Sequence, residues 1–280
     1  MKKLIKLVIA LTIVLGLMPN PVFAQSNETI DKEAGVVIGF DDTFAPFGFK
    51  NEAGEHVGFD LDLAAEVFGR MDIEFTFQPI DWSMKETELN TGNIDMIWNG
   101  YSITPEREEV VLFSDSYIEN RQVIIVKADS DVSTKADLAG RFLATQEQSA
   151  SLEAILADKE FVASIDGAAP VTYATFVEVF SDLNNGRVDA IVVDETMAGY
   201  YLEQTGDADN YRILEDNFGE EEYGVGFRKS DAEFVAEFNT VLAEMIEDGT
   251  FAEIKANWFT EIDAEAATSE DSEETVEDAE

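Results

Sequence analysis

Asn93 to Arg107, NIDMIWNGYSITPER, concentrates the residue types able to grip a small charged molecule. Ile94, Met96, Ile97 and Trp98 are apolar enough for a strand covered on both faces. Asn99, Gly100 and Ser102 follow where that strand would end. Thr104 is a good helix N-cap, Pro105 suits the first helical position, and Glu106, Glu108 and Glu109 favour a helix start. Arg107 then falls in the first turn, beside free backbone N–H groups. A guanidinium there can hold a carboxylate bidentately. Pairing with the neighbouring glutamates is the other use open to it. A second candidate is Asp194, closing the apolar run IVVD. It would either accept an ammonium or cap the following helix near Thr196 or Met197. Phe44, after Asp41-Asp42-Thr43, and Trp82, after Asp81, offer flat faces to an organic ligand or belong to the core. In QEQSAS, Ser149 and Ser151 would cap a helix or, with nearby N–H groups, meet an anion. A positive clamp and a negative acceptor in one cleft suit a zwitterion.

These residues need strands and helices to hold them, and the pattern supplies both. Val36–Phe40, 73–78, 122–126, 142–144, 171–173 and 188–193 read as strands. Apolar stripes at Phe59, Leu63, Val67 and Phe68, at Phe176, Val179, Phe180 and Leu183, and at Phe234, Phe238, Val241, Leu242 and Met245 read as helices. The alternation predicts an α/β fold. One echo stands out. Leu89-Asn90-Thr91-Gly92-Asn93-Ile94-Asp95-Met96-Ile97 matches Leu183-Asn184-Asn185-Gly186-Arg187-Val188-Asp189-Ala190-Ile191 in pattern. Each copy reads as a helix end, a Gly stop and a buried strand. The first strand leads to Asn99 and Gly100, the second to Asp194. In open α/β sheets ligands sit beyond strand C-termini, so both ends would face one cleft.

Lys2, Lys3 and Lys6, the apolar run Leu7–Met18 and the small-residue end Val22-Phe23-Ala24 read as a secretory leader over residues 1–24. The chain holds no cysteine, so there is neither a disulfide framework nor a thiol for lipid attachment. Its formal net charge of -41 argues against nucleic acid as a partner. Residues 261–280 hold about ten acidic and no basic residues, and read as a disordered acidic tail. No cofactor and no metal-ligand cluster is evident. His56, the one histidine, sits in a polar stretch and reads as exposed.

The segments DDTFAPFGF, GEHVGFDLDLAAEVF, TGNIDMIWNGYSITPER, FSDSYIENRQVIIV, GRVDAIVVDE and YGVGFRK together resemble the polar amino acid-binding proteins of ABC importers. The likeness covers about Val36 to Phe259. It implies a two-lobed periplasmic-binding-protein type II fold with two hinge strands. Lobe one would comprise residues 31–118 plus 224–260, and lobe two 119–223. It implies that Arg107 binds the ligand's α-carboxylate with Ser102 and the backbone near Ser149 to Ser151. Asp194, with the Asn99–Gly100 backbone, would take the α-ammonium. Phe44 and Trp82 would sandwich the side chain, and Asp41 would lie near its distal end. The acidic residues of GFDLDLA would serve helix-start and surface roles. Two departures stand against the pattern. Gln148-Ser149-Ala150 replaces the usual Gly-Ser/Thr-Ser/Thr turn, removing a hydroxyl, and Trp98-Asn99 makes a bulkier strand end. The implied ligand is a free L-amino acid with a cationic or amide side chain, cystine being a further fit. An acidic ligand fits less well, because no second Arg or Lys is evident near the cleft. The implied partner is an importer permease, the protein itself being an exported monomer. A dehydratase-like enzyme using Asp194 or Glu195 as acid, and a ligand-sensing module, are the competing classes.

Overall fold

Val36–Phe40 forms β1, buried except for a half-exposed Val37, and runs into the loop that carries Asp41. The computed structural model describes residues 29–206 and 208–259. The expected leader and acidic tail lie outside these described residues. A small antiparallel sheet follows β1, made of β2 (Thr43–Phe44), β3 (Gly48–Lys50) and β4 (His56–Val57). Then come α1 (Phe59–Met71) and β5 (Phe75–Pro79). A short 3₁₀ turn at Trp82–Met84 leads into α2 (Lys85–Thr91) and β6 (Met96–Ile97). α3 (Pro105–Glu108) and β7 (Leu112–Phe113) complete this stretch.

A second series begins with β8 (Ile118–Lys127) and β9 (Leu143–Gln146). It continues through α4 (Ala150–Ala157), α5 (Lys159–Ser164), β10 (Val171–Tyr173) and α6 (Phe176–Asn184). β11 (Ala190–Asp194), α7 (Glu195–Thr205) and β12 (Tyr211–Tyr223) end it. The chain then returns through β13 (Gly226–Phe227) to α8 (Ala232–Glu247) and α9 (Thr250–Trp258).

Two five-stranded sheets result. The first has the order β5-β1-β6-β13-β7, the second β10-β9-β11-β8-β12. In the first, β5, β1 and β6 are parallel and β13 is antiparallel to both its neighbours. In the second, β10, β9 and β11 are parallel, β8 runs against them, and the edge strand β12, antiparallel to β8, runs their way again. Crossover helices between parallel strands cover the sheets, which is why the strands read as continuous apolar runs. The architecture is α/β and two-lobed, of the type II periplasmic-binding-protein kind, as the sequence implies.

Local signals explain most of the boundaries. Asp72 takes the left-handed conformation that ends α1, and Ile73 still donates to the Phe68 carbonyl. β5 therefore begins at Phe75 rather than at Ile73. Gly92 ends α2 the same way. Thr175 and Glu178 form a reciprocal capping box at the start of α6. The α1 stripe of Phe59, Leu63, Val67 and Phe68 is buried, as are Phe234, Phe238, Leu242 and Met245 of α8.

Three expectations need correction. Asp60 of GFDLDLA is buried, and its Oδ2 accepts the Gly100 N–H at 2.7 Å. Burial pushes its carboxyl up to about 7. His56 is half-buried in β4, its ring 5.2 Å edge-on from Phe40 and its Nε2 3.6 Å from Asp42. The Trp98 ring turns into the core, 5.2 Å from Phe238, so its bulk does not narrow the strand end.

Candidate functional site

The C-terminal ends of strands from both sheets open onto one cavity. The first sheet contributes Asp41 and Phe44 after β1, Trp82 after β5, and Asn99, Gly100 and Ser102 after β6, with Arg107 from α3. The second contributes Gln146 from the end of β9, Ser149 and Ala150 at the start of α4, Phe176 opening α6, and Asp194 ending β11. Of the residues singled out from sequence, only Ser151 is missing from the lining.

Arg107 is 3% exposed. Its own N–H is taken by the Thr104 hydroxyl at 3.3 Å, the cap expected there. Its guanidinium donates through Nη1 to the Ser102 carbonyl at 3.0 Å and through Nη2 to the Gln148 carbonyl at 3.3 Å. The face of Tyr101 lies 4.7 Å from Cζ. Arg107 does pair with a glutamate, but not with its neighbours. Nε meets Glu153 of α4 at 3.2 Å, and Glu153 also accepts the Thr104 hydroxyl at 3.1 Å.

Asp194 does not cap α7 with its side chain. Three donors converge on its Oδ1: Asn120 Nδ2 and Gln122 Nε2, each at 3.0 Å, and the Tyr223 hydroxyl. The start of α7 is served instead by Asn120 Oδ1, which accepts from the Thr196 N–H and hydroxyl. Burial, then the facing Glu221 carboxylate, holds the Asp194 carboxyl well above its ordinary range.

The serines divide. Ser149 accepts the Leu152 N–H at 3.1 Å and donates to the Gln146 carbonyl at 2.8 Å, so its hydroxyl is spent on capping α4. Ser151 faces β8, where its hydroxyl donates to Gln122 Oε1. It buttresses the Asp194 cluster from behind and does not line the cavity. Asp41 uses Oδ1 on the Thr43 N–H and hydroxyl, and Oδ2 on Gln146 Nε2 at 2.8 Å. Burial raises its carboxyl above the usual value. Asn99 accepts the Asp41 N–H at 2.9 Å through Oδ1, while its buried Nδ2 has no partner. Phe44 lies 5.8 Å from Phe176, so a third aromatic joins Phe44 and Trp82 around the cavity.

Sequence reasoning missed several of these groups. Gln146 was findable, because it occupies the same strand-end position as Asp194. Phe176 falls on an apolar helical stripe, which reads as core. Lys85 overturns the expectation that no second cation lies near the cleft. It is 1% exposed, with Nζ 2.9 Å from the Gln148 carbonyl and 3.3 Å from Glu86. Burial, then the nearby Arg107 charge, lowers its ammonium to about 8. A lysine opening a short helix gives no sequence signal of burial. Gln148, where the resembling proteins have Gly, sits at φ +55°. A side chain in that left-handed region costs about 1–2 kcal/mol, and here it aims the Gln148 carbonyl at both Lys85 and Arg107.

A buried Arg and a buried Asp from separate sheets, facing one cavity at strand ends, define a two-lobed small-molecule binding protein. The chain belongs to the bacterial extracellular solute-binding proteins, family 3, whose pattern matches residues 36–261. It is 32% identical to the lysine/arginine/ornithine-binding periplasmic protein of Escherichia coli (strain K12), over 91% of this chain and 96% of that one. It is 28% identical to the arginine-binding extracellular protein ArtP of Bacillus subtilis (strain 168), over 93% and 99%. Among solved structures it resembles an ABC uptake transporter substrate-binding protein from Streptococcus pneumoniae with bound histidine. That match has a TM-score of 0.78 and 40% identity, covering 80% of this chain and 92% of that one.

Proposed function

We propose that this protein captures a free polar L-amino acid outside the cytoplasmic membrane and delivers it to the permease of an ABC importer. The observation that carries this reading is the placement of Arg107 and Asp194. One buried cation and one buried carboxyl group, contributed by different sheets, match the two charges of an amino acid backbone. Arg107 would hold the carboxylate, with the free N–H groups at the start of α4. Asp194 would take the ammonium, with the Asn99–Gly100 backbone. Phe44, Trp82 and Phe176 would enclose the side chain, and Asp41 and Asn99 Nδ2 would read its polar end. A cationic or amide side chain suits Asp41, and the ligands named in the relatives' descriptions, lysine, arginine, ornithine and histidine, belong to the cationic class. Binding rather than catalysis fits a family named for solute binding.

Lobe one is read as residues 31–118 plus 224–260 and lobe two as 119–223, with crossings near Tyr117–Asn120 and Tyr223–Gly226. Ligand touching both lobes would favour the closed form. Glu153 adds a latch between them through Arg107 and Thr104. In Glu153→Gln the ligand-free closed form loses one charge-assisted contact, about 1–2 kcal/mol. The expected result is a larger radius of gyration by small-angle scattering without ligand; an unchanged radius refutes the latch. The leader would export the protein, which would act as a monomer.

The direct test is a thermal-shift screen of the mature protein against the twenty amino acids, cystine and ornithine. A ligand that binds only the folded state stabilises it by about 3–4 kcal/mol at 100- to 1,000-fold over Kd. A rise confined to arginine, lysine, ornithine, histidine or glutamine is the expected outcome. A flat response to every compound overturns the reading.

A further inference from the structure

Glu221, which does not line the cavity, stands directly behind Asp194. Two amide side chains bridge the carboxyl groups. Asn120 Nδ2 lies 3.0 Å from Asp194 Oδ1 and 2.7 Å from Glu221 Oε1. Gln122 Nε2 lies 3.0 Å and 2.7 Å from the same two oxygens. Both carboxyl groups therefore crowd the same pair of NH₂ groups. The remaining groups around them are neutral or occupied elsewhere. Tyr223, on β12, is a phenol whose hydroxyl donates to Asp194. Tyr117 lies beyond it and is likewise held neutral by burial, with Asp60 beside it. Ser151 of α4 reaches only Gln122. Arg121, between the two amides on β8, turns to Glu195 at 2.5 Å. Among the described residues no cation pairs with Asp194 or Glu221.

Two carboxylates in such contact, bridged only by neutral donors, repel one another, and one retained proton removes the repulsion. We propose that Asp194 and Glu221 share one proton when the cavity is empty, and that the ligand's ammonium displaces it. The exchange balances. The Asp194–Glu221 pair with its proton, plus an ammonium ion, gives the doubly ionised pair bound to the ammonium and one proton released to solvent. Glu221 is thus a positioning residue acting through Asp194, and it makes capture of the ligand dependent on pH. This rests on the reading of Asp194 as ammonium acceptor.

Glu221→Gln keeps the shape and removes the second charge. One arm of the test needs no ligand. A proton held by the folded state makes stability fall as pH rises from the ordinary carboxylate range towards the folded-state pKa. In the variant only burial still holds the Asp194 proton, so the fall is smaller and its melting midpoint gains on the wild type as pH goes from 5 to 8.5. Asp60 titrates in both proteins and cancels in the difference. Parallel midpoint curves overturn the shared proton. The other arm is calorimetry with L-arginine at pH 7 in phosphate and in Tris, whose protonation heats differ. Expected is release of about one proton per ligand by the wild type, and at most half of that by Glu221→Gln. Equal release by the two proteins overturns the role of Glu221. Absence of L-arginine binding counts against the ligand reading, and the ligand-free arm then decides the pair alone.

Discussion

Arg107→Ala is expected to weaken ligand binding by roughly 30- to 1,000-fold, read by calorimetry with the amino acid that the thermal screen selects. Truncating this partner of a buried charged pair is expected to cost about 2–4 kcal/mol, and each 1.4 kcal/mol is tenfold. The loss has two sources. The ligand carboxylate loses a planar double donor, and the Ser102 carbonyl loses its guanidinium donor, while the Gln148 carbonyl keeps Lys85. Arg107→Lys restores the charge without the fork, and is expected to recover only part of the loss. Affinity within threefold of wild type in Arg107→Ala would remove Arg107 from the site. A melting curve of the ligand-free variant separates this from unfolding.

The largest stability effect is expected at Gly58, in the turn before α1. Its φ is +152°, and a Cβ built there would lie 2.2 Å from the Phe47 carbonyl oxygen and 2.8 Å from Gly48 Cα. Both contacts are backbone. The Phe47 carbonyl is fixed in turn by the Asp60 N–H at 3.0 Å. Gly58→Ala combines backbone strain with overpacking, a loss of about 3–5 kcal/mol, measured by urea unfolding. A loss below about 1 kcal/mol would mean that the turn yields more readily than its hydrogen bonds indicate. Because Asp60 also holds the Gly100 N–H, the damage should reach the cavity as weaker ligand binding.

How much of this was legible in the sequence depends on whether a signal was local. The strand, turn and capped helix over Asn93–Arg107 were readable because Thr104 and Pro105 act within one helical turn. The repeated Gly92 and Gly186 stops were readable for the same reason, and they precede two of the strands whose ends face the cavity, β6 and β11. β12 was not read at all. It pairs with one neighbour only and carries Arg212, Glu215, Asp216 and Glu220–Glu222 with irregular register, so no alternation of apolar residues announces it. The site residues missed share another cause. Lys85, Glu153 and Glu221 have the composition of surface residues, and their placement follows from contacts 46 to 101 positions apart in the chain. Ser151 shows the converse. Its spacing from Ser149 suggested a common task, but successive positions at a helix start point in different directions, one towards the cap and the other towards β8.

The position of β13 bears on the order in which the chain can assemble. All five strands of the second sheet lie between residues 118 and 223, in one unbroken stretch. The first sheet instead places β13, residues 226–227, between β6 and β7. A polypeptide emerging with its amino end first therefore owns a complete second sheet while the first still has a gap in its middle. The β6 and β7 edges must wait, unpaired, for residues made more than a hundred positions later. Exposed strand edges of that kind invite pairing with other chains. The half of the molecule that begins the sequence is thus the half that finishes last.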